Sequence, residues 1–216
     1  MSSINNLKLY YIFPGFNGLG GPIRMLLEDA QVPYEWIYLD HVQTWPKTKE
    51  TWIESGYPFD CAPMIQLENG KQYSGAQPIL RFLSKSLGKY IPTNDIDLEQ
   101  FVETVSDYAA DWFKFYGVAS RGRNEKGVLD KYLQEQLPMF LRRFERIYGA
   151  KQGPYAAGEE VTYCDFIVFI LASRSPTANY LKDYPNLSKF VDAMSKRPSL
   201  KKALESQDYA ITGIPL

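Results

Sequence analysis

Two consecutive tyrosines, Tyr10 and Tyr11, stand near the end of a short run of strand-forming residues, Leu7 to Ile12. A phenol titrates near pH 10, so at neutral pH it keeps its proton and can offer it to a nearby anion. Alternate side chains of a strand share a face, which puts Tyr11 with Leu7 and Leu9 and turns Tyr10 the other way. On the strand alone, a core ring with a satisfied hydroxyl is the commoner reading of Tyr11. Trp45 and Lys49 make a second pair. An indole N–H and an ammonium both suit an anion, and in a helix the i,i+4 spacing lets them converge. A surface lysine beside a half-buried tryptophan has the same spacing. Glu103 and Asp107 lie one turn apart, a pattern shared with any solvated acidic face.

Other chemistries lack the residues they need. The single histidine, His41, excludes a multi-histidine metal site, and nothing beside it in sequence gives it a nucleophile to serve. Cys61 and Cys164 are far apart and form no CxxC, so neither a disulfide framework nor a zinc site is expected, and no metal. Charges are balanced at 24 Lys plus Arg against 25 Asp plus Glu. The basic excess of a nucleic-acid binder is missing. No run of about 18 apolar residues occurs, so no membrane span is expected. The start lacks a basic and then apolar leader, which favours a cytoplasmic location. The 16 Tyr, 12 Phe and 4 Trp supply large rings, several with polar tips, suited to cores, apolar pockets and interfaces.

The elements that must position these residues change character along the chain. Strand signals fall at Leu7–Ile12 and Tyr34–Leu39, with a Gly/Pro/Asn loop from Phe13 to Gly21 and a helix opening at Pro22. Residues 40–62 read as irregular, with a short helix near Trp45–Ile53. Asn69-Gly70 between Pro63–Leu67 and Lys71–Ser74 marks a hairpin. A helix follows over Pro78–Leu87 and stops at Gly88. The order is β-α-β-(α)-β-β-α. From Asp97 the apolar spacing becomes helical, through Leu98, Phe101, Val102, Val105, Tyr108, Ala109, Trp112 and Tyr116. A second helical run covers 126–148, kinked or broken at Pro138. A third begins with the capping box Thr162-x-x-Asp165 and is apolar all round, which places it inside a bundle. Shorter helices fit Leu187–Ser195 and Ser199–Glu205. The expected domains are an α/β unit over 1–88, a linker over 89–95 and an all-helical unit over 96–216.

Taken together, these pieces resemble the cytosolic glutathione transferases of the tyrosine-type classes, sigma most of all. The resemblance rests on Lys8-Leu9-Tyr10-Tyr11, Gly18-Leu-Gly-Gly-Pro22-Ile23-Arg24, Trp45-Pro46-x-x-Lys49, Ala62-Pro63-Met64 and Tyr155-Ala-Ala-Gly158 followed by Thr162-Tyr-Cys-Asp165. Tyr184-Pro-Asn-Leu187 and Arg197-Pro198-Ser199 extend it towards the end. It implies a thioredoxin-like domain followed by a helical bundle, assembled as a homodimer. It also implies conjugation of glutathione, as co-substrate, to hydrophobic electrophiles. A glutathione-dependent isomerase or peroxidase, or a non-catalytic relative that only binds, would share the scaffold.

The resemblance also implies roles. Tyr11 would be the catalytic phenol, with Tyr10 as the alternative. Trp45 and Lys49 would hold the glycyl carboxylate. Ala62 would pair its backbone with the cysteinyl part of glutathione, ahead of a cis Pro63. Glu103 would reach the glutathione amine of a partner subunit. Phe13, Trp112, Phe113 and Tyr116 would line the electrophile pocket. The γ-glutamyl end departs from the family: Gly75-Ala76 stands where Gln or Glu followed by Ser is usual. Ser74, Gln77 or the backbone amides of that helix start are the substitutes. Gly21 and Leu19 occupy places that are often acidic and basic.

Overall fold

A computed structural model describes residue 4 and residues 6–210. It divides into two compact units. One runs through Gly88 and takes in the segment from Ser199, and the other spans Lys89–Pro198.

In the first unit, β1 (Leu7–Tyr11), α1 (Gly21–Ala30), β2 (Tyr34–Tyr38), α2 (Trp45–Glu54), β3 (Met64–Gln66), β4 (Gln72–Ser74) and α3 (Ala76–Leu87) follow in order. Among the described residues the strands form one mixed sheet in the order β2-β1-β3-β4. β1 runs parallel to β2, with Leu7 opposite Tyr34 and Tyr11 opposite Tyr38. It runs antiparallel to β3, with Tyr10 opposite Met64. β3 turns back into β4 through the expected Asn69-Gly70 hairpin, where the Asn69 carboxamide accepts the Lys71 N–H at 3.1 Å. The alternation of β1 is plain: Leu7, Leu9 and Tyr11 are buried, Lys8 is exposed and Tyr10 is half-buried. Tyr10 instead joins the cluster of Leu39, Trp52 and Met64. α3 begins two residues before the expected Pro78. Proline is tolerated in a first helical turn, whose N–H groups lack intrahelical partners.

The second unit holds α4 (Ile96–Arg121), α5 (Val128–Lys131), α6 (Leu137–Tyr148), α7 (Tyr163–Ala172) and α8 (Pro185–Ser195). The Asp95 carboxylate caps α4 by accepting the Leu98 N–H at 2.9 Å. The run expected over 126–148 is interrupted at Tyr132–Gln136, a π-helical turn just ahead of Pro138. Proline has no N–H and its ring crowds the carbonyl one turn back, and a wider turn relieves both. All of α7 is buried, and the Thr162–Asp165 capping box is formed. Asp165 accepts the Thr162 N–H at 2.7 Å, the Thr162 hydroxyl at 2.9 Å, the Tyr148 phenol at 2.9 Å and the Ala156 N–H at 3.1 Å. The expected linker residue Tyr90 lies within this unit, its carbonyl accepting the Tyr163 N–H at 2.8 Å.

The chain end behaves differently from the expected helical domain. α9 (Lys201–Leu204) and α10 (Gln207–Ala210) cluster with the first unit. Two polar fastenings account for this: the Ser199 hydroxyl donates to Asp29, and Arg24 pairs with Asp208.

Candidate functional site

The Tyr11 ring is packed in the first unit and is 3% exposed. A single 3₁₀ turn, Gly18–Gly20, closes over it. A Cβ on Gly18 would overlap the Tyr11 hydroxyl, and one on Gly20 would overlap its ring. Only glycines let the backbone come this close. The approach delivers the Leu19 N–H to the phenol oxygen at 2.7 Å. That bond occupies a lone pair and not the phenol's own proton. Because hydrogen bonds in a chain polarise one another, a donor on the oxygen strengthens the O–H as a donor in turn. Leu19 is a site residue that side-chain reasoning passes over, since its contribution is an amide. Phe13, also expected at the site, is 38% exposed, its ring edge-on to that of Tyr11 with 5.7 Å between ring centres.

Tyr10 is engaged on the opposite face. Its hydroxyl donates to the Gln66 carboxamide at 3.3 Å, and its ring stands edge-on to Trp52. Burial raises its pKa, with Lys8 working against and Glu35 adding to the shift.

The remaining candidates of this unit are spread over the turn before β3, the end of β4 and the helices α2 and α3. The Ala62–Pro63 bond is cis. Continuing the β1–β3 register by one step sets Tyr11 level with Pro63. The Gly75 N–H donates to the Pro63 carbonyl at 3.1 Å, joining the proline turn to the start of α3. Gly75, at φ +88°, offers α3 no side-chain cap, so the first-turn amides of Ala76 and Gln77 receive no acceptor from it. The positive end of the helix dipole also lies there. Ser74 is already committed: its hydroxyl accepts the Tyr57 phenol at 2.8 Å and donates to the Cys61 carbonyl at 3.3 Å. Burial raises the pKa of Tyr57, and the Ser74 bond opposes the shift. Trp45 and Lys49 do share α2, one turn apart. Trp45 packs edge-on to Trp52, 5.6 Å between ring centres. The Lys49 ammonium lies 3.9 Å from Asp60, both partly exposed.

In the helical unit the aromatic stripe separates into core and flank. Trp112 is fully buried, its indole N–H donating to the Tyr132 hydroxyl at 3.0 Å and its ring against Phe140 and Phe144. It is a core residue, and the expectation that it lines a pocket is corrected: a large ring with its one polar atom satisfied internally presents no surface to a ligand. Phe113 is 7% exposed, and Tyr116 is half-buried with its ring edge-on to that of Phe113. Glu103 is half-buried and faces Tyr163, whose pKa is pushed up by burial and then by the Glu103 charge.

Among the described residues, no three His, Cys, Asp or Glu side chains gather to hold a metal, and no helix is long and apolar enough to cross a membrane. Cys61 is exposed and Cys164 buried, and burial pushes the Cys164 thiol well up in pKa.

Comparison with known proteins gives a consistent picture. The family model of the glutathione S-transferase N-terminal domain matches residues 22–86, and that of the C-terminal domain matches residues 107–207. A glutathione S-transferase P of Caenorhabditis elegans is 28% identical over 207 residues, covering 93% of each chain. The structure of an Onchocerca volvulus pi-class glutathione S-transferase superimposes with a TM-score of 0.83 at 22% identity over 98% of each chain. A monomeric glutathione S-transferase of Necator americanus gives a TM-score of 0.79 at 23% identity, over 94% of this chain and 97% of that one.

Proposed function

Because the chain belongs to the glutathione S-transferase family, we propose that it joins the sulfur of glutathione to hydrophobic electrophiles, with Tyr11 as the donor that steadies the thiolate. The observation that carries this reading is the Tyr11 phenol, enclosed by glycines, held by the Leu19 amide and level with the cis-proline turn.

A free thiol has a pKa of about 8.5, so little thiolate exists at neutral pH. Lowering that value by about two units requires about 2.7 kcal/mol of preferential stabilisation of the anion. A preorganised O–H aimed at sulfur in a shielded cleft supplies part of it. The thiol proton leaves to water and the phenol keeps its own. The sulfur lone pair then forms the S–C bond, while the departing group or an adjacent carbonyl takes the displaced electron pair.

The other roles follow from the resemblance. The Ala62 backbone pairs with the cysteinyl part as an added strand would. Trp45 and Lys49 receive the glycyl carboxylate. The first-turn amides at Ala76 and Gln77 take the γ-glutamyl carboxylate, in keeping with anion binding at helix starts. Their backbone replaces the side-chain hydroxyl usual in the family, while Ser74 is held by Tyr57 and Cys61. Phe13, whose ring lies edge-on to that of Tyr11, contributes apolar surface for the electrophile. A homodimer in which Glu103 approaches the partner's glutathione amine, a cytoplasmic location and a role in detoxification complete the proposal on the strength of the resemblance.

The test is conjugation of a generic aryl halide, alongside ultraviolet absorbance of bound thiolate. Tyr11→Phe should lose about 100-fold in kcat, the scale for removing one donor to a developing anion. It should also raise the pH at which bound thiol ionises. A Tyr11→Phe protein with full rate beside an impaired Tyr10→Phe protein overturns the assignment.

A further inference from the structure

The loop between β1 and α1 is badly equipped to hold itself still. Phe13 to Gly21 carries glycines at 15, 18, 20 and 21, two of them in the left-handed region, and glycine leaves the backbone most free. Its local ties are the Asn17 carboxamide, donating to the Pro14 carbonyl at 3.0 Å, and the Gly21 N–H, donating to the Gly18 carbonyl. Yet this loop must keep the Leu19 amide on the Tyr11 oxygen.

Arg24 of α1 supplies an anchor. Its residue is 7% exposed, and its guanidinium lies over the Phe16 ring at 4.1 Å and the Trp36 ring at 4.4 Å. Nη1 donates to the Gly15 carbonyl at 2.8 Å, Nε to the Tyr34 hydroxyl at 3.1 Å and Nη2 to the Asp208 carboxylate at 3.0 Å. Tyr34 in turn donates to Glu28 at 2.7 Å. Asp208 arrives from α10, far along the chain, and lies directly on the loop. Its carbonyl accepts the Phe16 N–H at 3.4 Å, and a Cβ on Gly15 would overlap that carbonyl. The next residue, Tyr209, stands edge-on to Phe16. One cation thus ties the loop, β2 and the C-terminal segment at a single point. A planar fork with several donors, stacked on rings, suits this in a way a lysine could not.

We propose that Asp208 and Arg24 form a strap by which the C-terminal segment positions the glycine loop, and through it the Leu19 amide, on Tyr11. Both are positioning residues, and the inference rests on the reading of Tyr11 as thiolate donor. The titratable groups around the strap are Tyr34 with Glu28 behind it, Asp208 itself and Tyr209. Asp208 has half its side chain in solvent, and Asp208→Glu keeps a carboxylate for the buried Arg24.

The experiment measures aryl-halide conjugation against pH and glutathione affinity by calorimetry. It uses the full chain carrying Asp208→Ala, Asp208→Glu, Tyr11→Phe, and Tyr11→Phe with Asp208→Ala. Asp208→Ala should raise the midpoint of the pH profile by about half a unit, about a threefold loss of rate on its acid side, with affinity changed less than about twofold. Asp208→Glu should restore the midpoint. In the Tyr11→Phe background, Asp208→Ala should change nothing further, since both act through one oxygen. An unshifted midpoint in Asp208→Ala beside a shifted one in Tyr11→Phe overturns the strap alone. An equal loss in both backgrounds also overturns it, because Asp208 then acts elsewhere. An unshifted Tyr11→Phe protein overturns the reading of Tyr11 and the strap with it.

Discussion

The backbone N–H of Leu19 is aimed at the Tyr11 hydroxyl from 2.7 Å, and the glycines on either side of Leu19 make the approach sterically possible. The proposed catalytic phenol is therefore itself a hydrogen-bond acceptor, set in place before any substrate arrives.

That arrangement is sensitive to a single methyl group. Gly20→Ala should drive a Cβ into the Tyr11 ring and displace the hydroxyl. Misplacements of about 1 Å can cost about 100-fold in rate, so a fall in kcat of about 10-fold to 100-fold is expected. Glutathione affinity should change much less. Steady-state kinetics with parallel calorimetry would separate the two.

Lys49 is expected to act on binding and not on chemistry. Lys49→Ala should raise KM for glutathione about fivefold at unchanged kcat, the scale of a partly exposed ion pair. The effect should shrink as salt is added, because exposed charges are screened. Equal loss in kcat and kcat/KM would place Lys49 in the transition state instead.

Asp165 serves stability and has no expected part in turnover. It receives four donors from Tyr148, Ala156 and Thr162 in a fully buried setting. Asp165→Ala leaves those donors without an acceptor and should lower unfolding free energy by about 3–5 kcal/mol. Urea denaturation should show this as an earlier midpoint with little change in slope.

The cysteines should differ sharply in reactivity. Burial holds the Cys164 thiol protonated well above the usual thiol range, whereas Cys61 is exposed. An aromatic disulfide reagent at pH 8 should therefore modify Cys61 in the folded protein, and Cys164 only after denaturant is added. Mass mapping of the labelled peptides checks it.

Much of the fold could be read from residues that act on their near neighbours. Asn69-Gly70 specified the hairpin, Gly88 the end of α3, and Thr162 with Asp165 the start of α7, because each makes its bond within a few positions. Side-chain parity in β1 likewise separated Tyr11 from Tyr10. What stayed hidden depends on distance or on backbone. The Leu19 amide carries no side-chain signature. Arg24 meets Asp208 across 184 positions, so the return of the chain end to the first unit has no local mark. Trp112 was misplaced because helical spacing gives a stripe but not its depth, and depth is decided by Tyr132, Phe140 and Phe144.

The bond from the Gly75 N–H to the Pro63 carbonyl bears on the proposed seating of the tripeptide. It ties the proline turn that follows Ala62 to the residue that precedes the leading amides of α3. On the proposed reading, a peptide thiol whose acidic arm is one methylene shorter or longer should seat its sulfur or its terminal carboxylate less well than glutathione does, which competition calorimetry would check.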